Sequence, residues 1–195
     1  MADPIEVLDF WLGEVGPKGW YAGGADLDAL CREHFLEVWQ AAHDGGLDHW
    51  VEGAAGTLAY IVICDQLARN MHRGSALAFA TDMRALAAAK QAVAMGWDMD
   101  APEPERQFFY MPFEHSEDPA DQDQAVALLS ERMSSDPDMA LHARAHRAII
   151  ARFGRFPFRN VALGRETTAE EAAFLAEGGY MAEVARQRVS YASDA

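Results

Sequence analysis

Two histidines one helical turn apart, His142 and His146, sit in the basic stretch of an acidic chain. From His142 to Arg165 the sequence places six of its fourteen arginines: Arg144, Arg147, Arg152, Arg155, Arg159 and Arg165. No Asp or Glu occurs between Asp138 and Glu166. Imidazoles exchange protons near neutral pH, and guanidinium groups offer paired donors to carboxylate or phosphate. Together they suit anion binding coupled to acid–base chemistry. Histidines at i, i+4 also ligate zinc, but Ala143, Arg144 and Ala145 separate this pair, so the His-Glu-x-x-His base is missing. Nearby arginines also oppose a dication, so no metal is assigned. A metal-dependent hydrolase built on His142 and His146 ranks third among the readings.

The segment after the histidines reads as a rigid exit loop. Gly154 follows Phe153 where a helix-ending glycine belongs, and Pro157 biases Phe156 toward extended backbone. An extended 155–159 would project Arg155 and Arg159 to one side and Phe156 and Phe158 to the other. That predicts a planar anion clamp anchored by phenylalanines. A rival lies close at hand, since residues 114–123 hold five carboxylates in ten positions. Those carboxylates and the arginines of 144–165 account for each other as internal ion pairs without any ligand. His115, Glu114 and Glu117 tilt the balance toward a site, because a surface salt-bridge belt needs no histidine and adds little stability.

The elements that must carry these residues are helices. Ala is abundant and runs of β-branched residues are scarce, which favours helix over pleated sheet. Asp3-Pro4, Asp118-Pro119 and Asp136-Pro137 are helix starts, and Thr167-x-x-Glu170 and Thr168-x-x-Glu171 are overlapping capping boxes. They predict helices over 119–133 and 137–153, one opening near 168, and further turns from Tyr180. Leu58 to Arg73 is apolar nearly all round and reads as a central helix. Asp65 and Arg69 interrupt it four residues apart, close enough to pair. From Asp26, the spacing of Leu27, Leu30, Cys31, His34, Val38 and Ala41 predicts one buried face, with His34 a satisfied core histidine. Glu103 to Phe113 reads as a short helix ended by Pro112. The tally is about eight or nine helices in a single all-α domain spanning 1–195.

A net charge of −15 and a pI near 4.7 argue against nucleic acid and anionic membrane as partners. No apolar run is long enough to span a bilayer, and the acidic start carries no basic leader, so the expectation is a cytoplasmic protein. Cys31 and Cys64 read as two buried small hydrophobes. No glycine-rich phosphate loop occurs, and nothing in the pattern asks for a cofactor. Oligomeric state is not legible.

Several stretches together resemble the bacterial domain-of-unknown-function-924 family: Asp65-Gln66-Leu67-Ala68-Arg69-Asn70, Phe79-Ala80-Thr81-Asp82, Glu105-Arg106 through Tyr110-Met111-Pro112, His115-Ser116-Glu117, and His146-Arg147 running to Phe153-Gly154-Arg155-Phe156-Pro157. Arg159-Asn160 and Leu163-Gly164-Arg165 extend the likeness, which covers roughly Phe10 to Phe174. The resemblance implies an all-α fold of stacked antiparallel helix pairs similar to the tetratricopeptide-like superfamily. It brings no established activity. Many members have His after the FGRFP motif where this chain has Phe158, so position 158 is given no chemical role. The motif positions that carry over are Asp65, Arg69, His115, Glu117, His146, Arg155 and Arg159. The leading expectation is a small anionic ligand held by Arg155, Arg159, Arg69 and Asp65, with His146, His115 and Glu117 orienting it or exchanging protons. The runner-up is a peptide-binding helical module without catalysis.

Overall fold

The starts and stops written into the sequence become helix ends in the computed structural model, which describes residues 3–193. The described residues are helices and turns, with no strand among them, and they divide into two compact units, Met1–Pro112 and Phe113–Ala195. In the first unit, α1 (Pro4–Leu8) continues through wide π-type turns over Asp9–Val15 into α2 (Gly16–Gly19). It is followed by α3 (Ala25–His43), α4 (Ala54–Ile61), α5 (Ala68–Met71) and α6 (Asp82–Met95). The division falls within α7 (Met111–Glu114). The second unit holds α8 (Pro119–Arg132), α9 (Pro137–Phe153), α10 (Ala169–Ala176) and α11 (Gly179–Ser193).

The apolar stretch is the centre of the first unit. α4, the wide turns of Val62–Leu67 and α5 run on without a break, and every residue from 57 to 68 is buried. α1, α3 and α6 pack around it. Thr81, fully buried at the start of α6, donates from Oγ1 to the Cys64 carbonyl at 2.6 Å and accepts from Trp39 Nε1 at 3.2 Å. One hydroxyl thus joins α3, the wide turns and α6.

Two sequence expectations are corrected here. The buried face of α3 is Asp28, Cys31, Phe35, Trp39 and Ala42, whereas Leu30 is 43% exposed and His34 is exposed. Rotating the helix exchanges Leu30 and His34 for the larger rings of Phe35 and Trp39, which remove more apolar surface from water. Asp28 follows inward because Arg73 takes both of its oxygens, at 2.7 and 2.8 Å. Pro112 does not end a helix either. A tight 3₁₀ turn spans Glu105–Phe109, and Pro112 lies in the first turn of α7, where its missing N–H costs nothing.

In the second unit, α9 is the middle layer. Only residues 133–136 link α8 to α9, and the Arg147–Asp123 pair joins late α9 to early α8, so the two are antiparallel. α11 is antiparallel to α9 as well, since Arg188 pairs with Asp138 and Tyr180 reaches His142. Ile149, Ile150, Phe156 and Phe174 form one apolar cluster, and Leu141, Ala145 and Val184 another.

Replacing Thr81 by Val keeps the shape but leaves the Trp39 indole N–H and the Cys64 carbonyl without this partner. We expect a loss of about 1–3 kcal/mol in unfolding free energy, measured by urea titration, and much less for Thr81→Ser. Equal stability of Thr81→Val and the parent would refute the role given to this hydroxyl.

Candidate functional site

α9 aims the two histidines. Asp136 caps its start, accepting from Asp138 N at 2.9 Å, and Gly154 ends it in the left-handed region at φ 66°. Between these stops His142 and His146 face the same way, and both reach Tyr180 of α11. His142 Nδ1 lies 2.5 Å from the Tyr180 hydroxyl, and the His146 and Tyr180 ring centroids are 4.7 Å apart. Burial pushes the His142 imidazole below its ordinary pKa; Glu114 pulls it back up and His146 adds to the lowering.

The partners of His146 settle its tautomer. Nδ1 lies 3.0 Å from the His142 carbonyl oxygen and 3.2 Å from Glu114 Oε2. A carbonyl only accepts, and so does a carboxylate, so Nδ1 carries a proton, and in the neutral imidazole the lone pair is on Nε2. Nε2 makes no hydrogen bond among the described residues. Aromatic edges fix the ring: Phe156 stands at 5.5 Å and 88°, and His115 at 6.1 Å and 81°. Glu114 is 6% exposed and is held in turn from α8. The fully buried Gln122 donates through Nε2 to the carbonyls of Glu114 and Ser116, at 2.7 and 2.6 Å.

The exit loop departs from its expected form. Phe156 is extended, with φ −89° and ψ 108°, but Pro157–Arg159 closes into a 3₁₀ turn. Proline suits the first position of a turn as well as a strand, so the bias it exerts stops at Phe156. Arg155 and Arg159 consequently go to different partners. Arg155 donates to both Glu171 oxygens at 2.7 and 2.9 Å and to the Glu166 carbonyl at 2.8 Å. Arg159 is buried, donates to the His115 carbonyl at 3.0 Å, and lies 4.6 Å over the Phe156 ring.

Glu117, expected to exchange protons, has both oxygens committed. They accept from Arg165 at 2.9 Å each, and one also accepts from Phe156 N at 2.9 Å. Burial raises its pKa, but these hydrogen bonds and the charges of Arg165 and Arg159 outweigh burial and hold it below its ordinary value. The ion-pair reading therefore holds in part. Arg147 and Arg165 pair with Asp123 and Glu117 of the acidic run, while Arg152 and Arg155 turn to Glu170 and Glu171 of α10.

Asp65 and Arg69 belong to the first unit. Arg69 pairs with Asp65 at 3.0 Å, as the four-residue spacing predicts, and with both oxygens of Asp82, at 3.0 and 3.1 Å. Among the described residues no group of three or more His, Cys, Asp or Glu is placed to hold a metal ion.

Four residues of this neighbourhood escaped the sequence reading in their structural roles. The sequence marks Glu114 as titratable but not as the partner of His146, and Glu171 only as a cap. Tyr180 and Gln122 carried no signal in spacing or motif.

The family described as bacterial protein of unknown function (DUF924) matches residues 7–179. The chain belongs to that family. A solved structure of a protein of unknown function from Agrobacterium tumefaciens is 40% identical, with a TM-score of 0.83 over 89% of this chain and 97% of that one. No curated protein matches. Membership in DUF924 agrees with the motifs at Asp65–Asn70, His115–Glu117 and His146–Pro157, all of which lie inside the matched residues. No described helix is long and apolar enough to cross a membrane.

Glu171 accepts from Arg155, Thr168 N and Asn160, which lower its pKa from 4.5 to about 2. A carboxylate depressed on folding stabilises above its unfolded value and loses that contribution as pH falls toward its folded value. Unfolding midpoints should therefore drop between pH 4.5 and about 2, and Glu171→Gln should flatten that part of the curve. Parallel acid limbs for parent and variant in a urea series across this range would contradict the assignment.

Proposed function

We propose that the second unit binds a small anionic compound, a phosphate or a carboxylate, and carries out acid–base or hydrolytic chemistry on it. The observation that carries this reading is the His146 tautomer. A proton fixed on Nδ1 by the His142 carbonyl and Glu114 leaves Nε2 as a base whose direction is set by its neighbours. Glu114 orients the ring and stabilises the imidazolium once Nε2 has taken a proton. Arg159 supplies guanidinium donors to the anion, and His115, in edge contact with His146, orients the ligand or passes the proton on. Glu117 positions the loop through Arg165 and Phe156 N, and Arg155 does so through Glu171. Asp65 and Arg69 are assigned no step here. The two buried, unlinked cysteines fit the reducing conditions of the cytoplasm.

A second reading, a peptide-binding module of tetratricopeptide-like helix pairs, has one observation in its favour. A cleft of about 390 Å³ between α8 and α9 is lined by Arg144, Arg147 and the buried Gln122. Such a cleft suits a peptide's C-terminal carboxylate.

The two readings separate in a panel of phosphate and carboxylate esters assayed for turnover, with inorganic phosphate titrated calorimetrically. His146→Gln should lower kcat by about 10²–10⁴-fold while leaving phosphate affinity and the melting temperature near those of the parent. Arg159→Lys should weaken phosphate binding. A folded His146→Gln protein that turns over the same ester as fast as the parent would sink the catalytic reading. Binding of C-terminal peptides, with no turnover of any ester, would favour the module.

A further inference from the structure

A groove in the first unit carries a different chemistry. It measures about 310 Å³ and is walled by Leu12, Leu58, Trp97 and Phe109. Glu105 lines it, and Asp100, exposed, stands at the rim; no Lys, Arg or His is among the lining residues. The Oε2 atom of Glu105 is buried and has no hydrogen-bond partner. A carboxylate oxygen removed from water without a partner is costly, and an apolar wall raises the cost. The neighbouring cation does not relieve it. Arg106 pairs with Glu103 at 3.5 Å and donates to the Ala101 carbonyl at 3.0 Å.

The backbone that carries Glu105 is stiff. Pro102 and Pro104 stiffen the approach, and the 3₁₀ turn of Glu105–Phe109 begins at Glu105 itself. The motif from Glu105 to Pro112 was prominent in the sequence, yet the anion-binding reading uses none of it.

We propose that this groove binds a small organic ammonium ion with an apolar body, its N–H donors on Glu105 and its hydrocarbon part against Trp97, Phe109, Leu12 and Leu58. Charge selects the ligand: an ammonium supplies the donor that Oε2 lacks, and the indole and phenyl rings that wall the groove also attract cations. Area holds it, because the walls are apolar and the volume falls at the small end of ligand pockets. The assignment is independent of the chemistry proposed at His146, which lies in the other unit.

Phenethylammonium is the probe, with 2-phenylethanol and 3-phenylpropionate as neutral and anionic counterparts. Titrated into the ¹⁵N-labelled chain, the amine should move the Trp97 indole N–H resonance, assigned with Trp97→Phe, and the propionate should not. Glu105→Gln should weaken amine binding by roughly tenfold or more, the change a charge-assisted hydrogen bond carries, and leave the alcohol unaffected. If Glu105→Gln fails to fold, the comparison of amine with propionate on the parent chain decides. Equal responses to amine and propionate, no response to either, or unchanged amine affinity in a folded Glu105→Gln would overturn the proposal.

Discussion

Two carboxylates hold the arginine-rich loop, and the geometry around His146 depends on them. From Gly154 to Thr168 the second unit has no helix longer than one turn, and its own backbone bonds, such as Leu163 N to Arg159 O and Arg165 N to Asn160 O, close only local turns. Glu117 ties the start of the segment to its end by accepting from Phe156 N and from both arms of Arg165. Glu171 does the same from α10, accepting from Arg155, Asn160 and Thr168 N. Surface ion pairs contribute little, but these are bidentate, partly buried and shared with backbone N–H groups, which makes them the stronger kind. Between them Phe156 is pressed against His146 on one side and under Arg159 on the other. The loop that bears the charge is thus also the wall of the candidate site.

This division of labour recasts the charge anomaly. A row of arginines in an acidic chain looks like one binding surface, yet the individual side chains do unlike things. Arg155 and Arg165 are structural, Arg147 and Arg152 pair across helices near the surface, and Arg159 is buried against an aromatic ring. The acidic run divides similarly. Glu117 serves the loop, Asp123 pairs with Arg147, and Glu114 turns inward to the imidazole. Burial separates them: Glu114 is enclosed, its backbone is held from α8 by Gln122, and its carboxylate faces the His146 imidazole.

What was legible in the sequence follows the range of the interaction concerned. The Asp-Pro starts, the Thr168 capping box and the Gly154 stop are decided within four residues, and all form. The shared inward face of His142 and His146 follows from a single helical period. The choice of Glu171 over any member of the acidic run for Arg155 is made 16 residues away, by the path of the loop. Tyr180 meets His142 across 38 residues, and no local rule names it. On α3 the misreading had another cause. Two overlapping stripes were available, and the one with Phe35 and Trp39 wins by area, a comparison between faces that periodicity alone does not make.

Position 158 tests whether the missing histidine weakens the acid–base reading. The family resemblance places an imidazole there in many relatives, and this chain has Phe158. Its ring stacks on Phe156 at 5.2 Å and 27°, on the residue whose edge meets His146, and it is 44% exposed. An imidazole in that place would be separated from His146 by the Phe156 ring, and would act first on solvent or on a ligand at the rim. The tautomer of His146 is set by groups on the other side of its own ring, the His142 carbonyl and Glu114, neither of which involves position 158. The geometry that the proposed base rests on is therefore independent of the residue at 158. What Phe158 removes is a second proton-bearing group at the outer edge, and what it adds is apolar cover for Phe156.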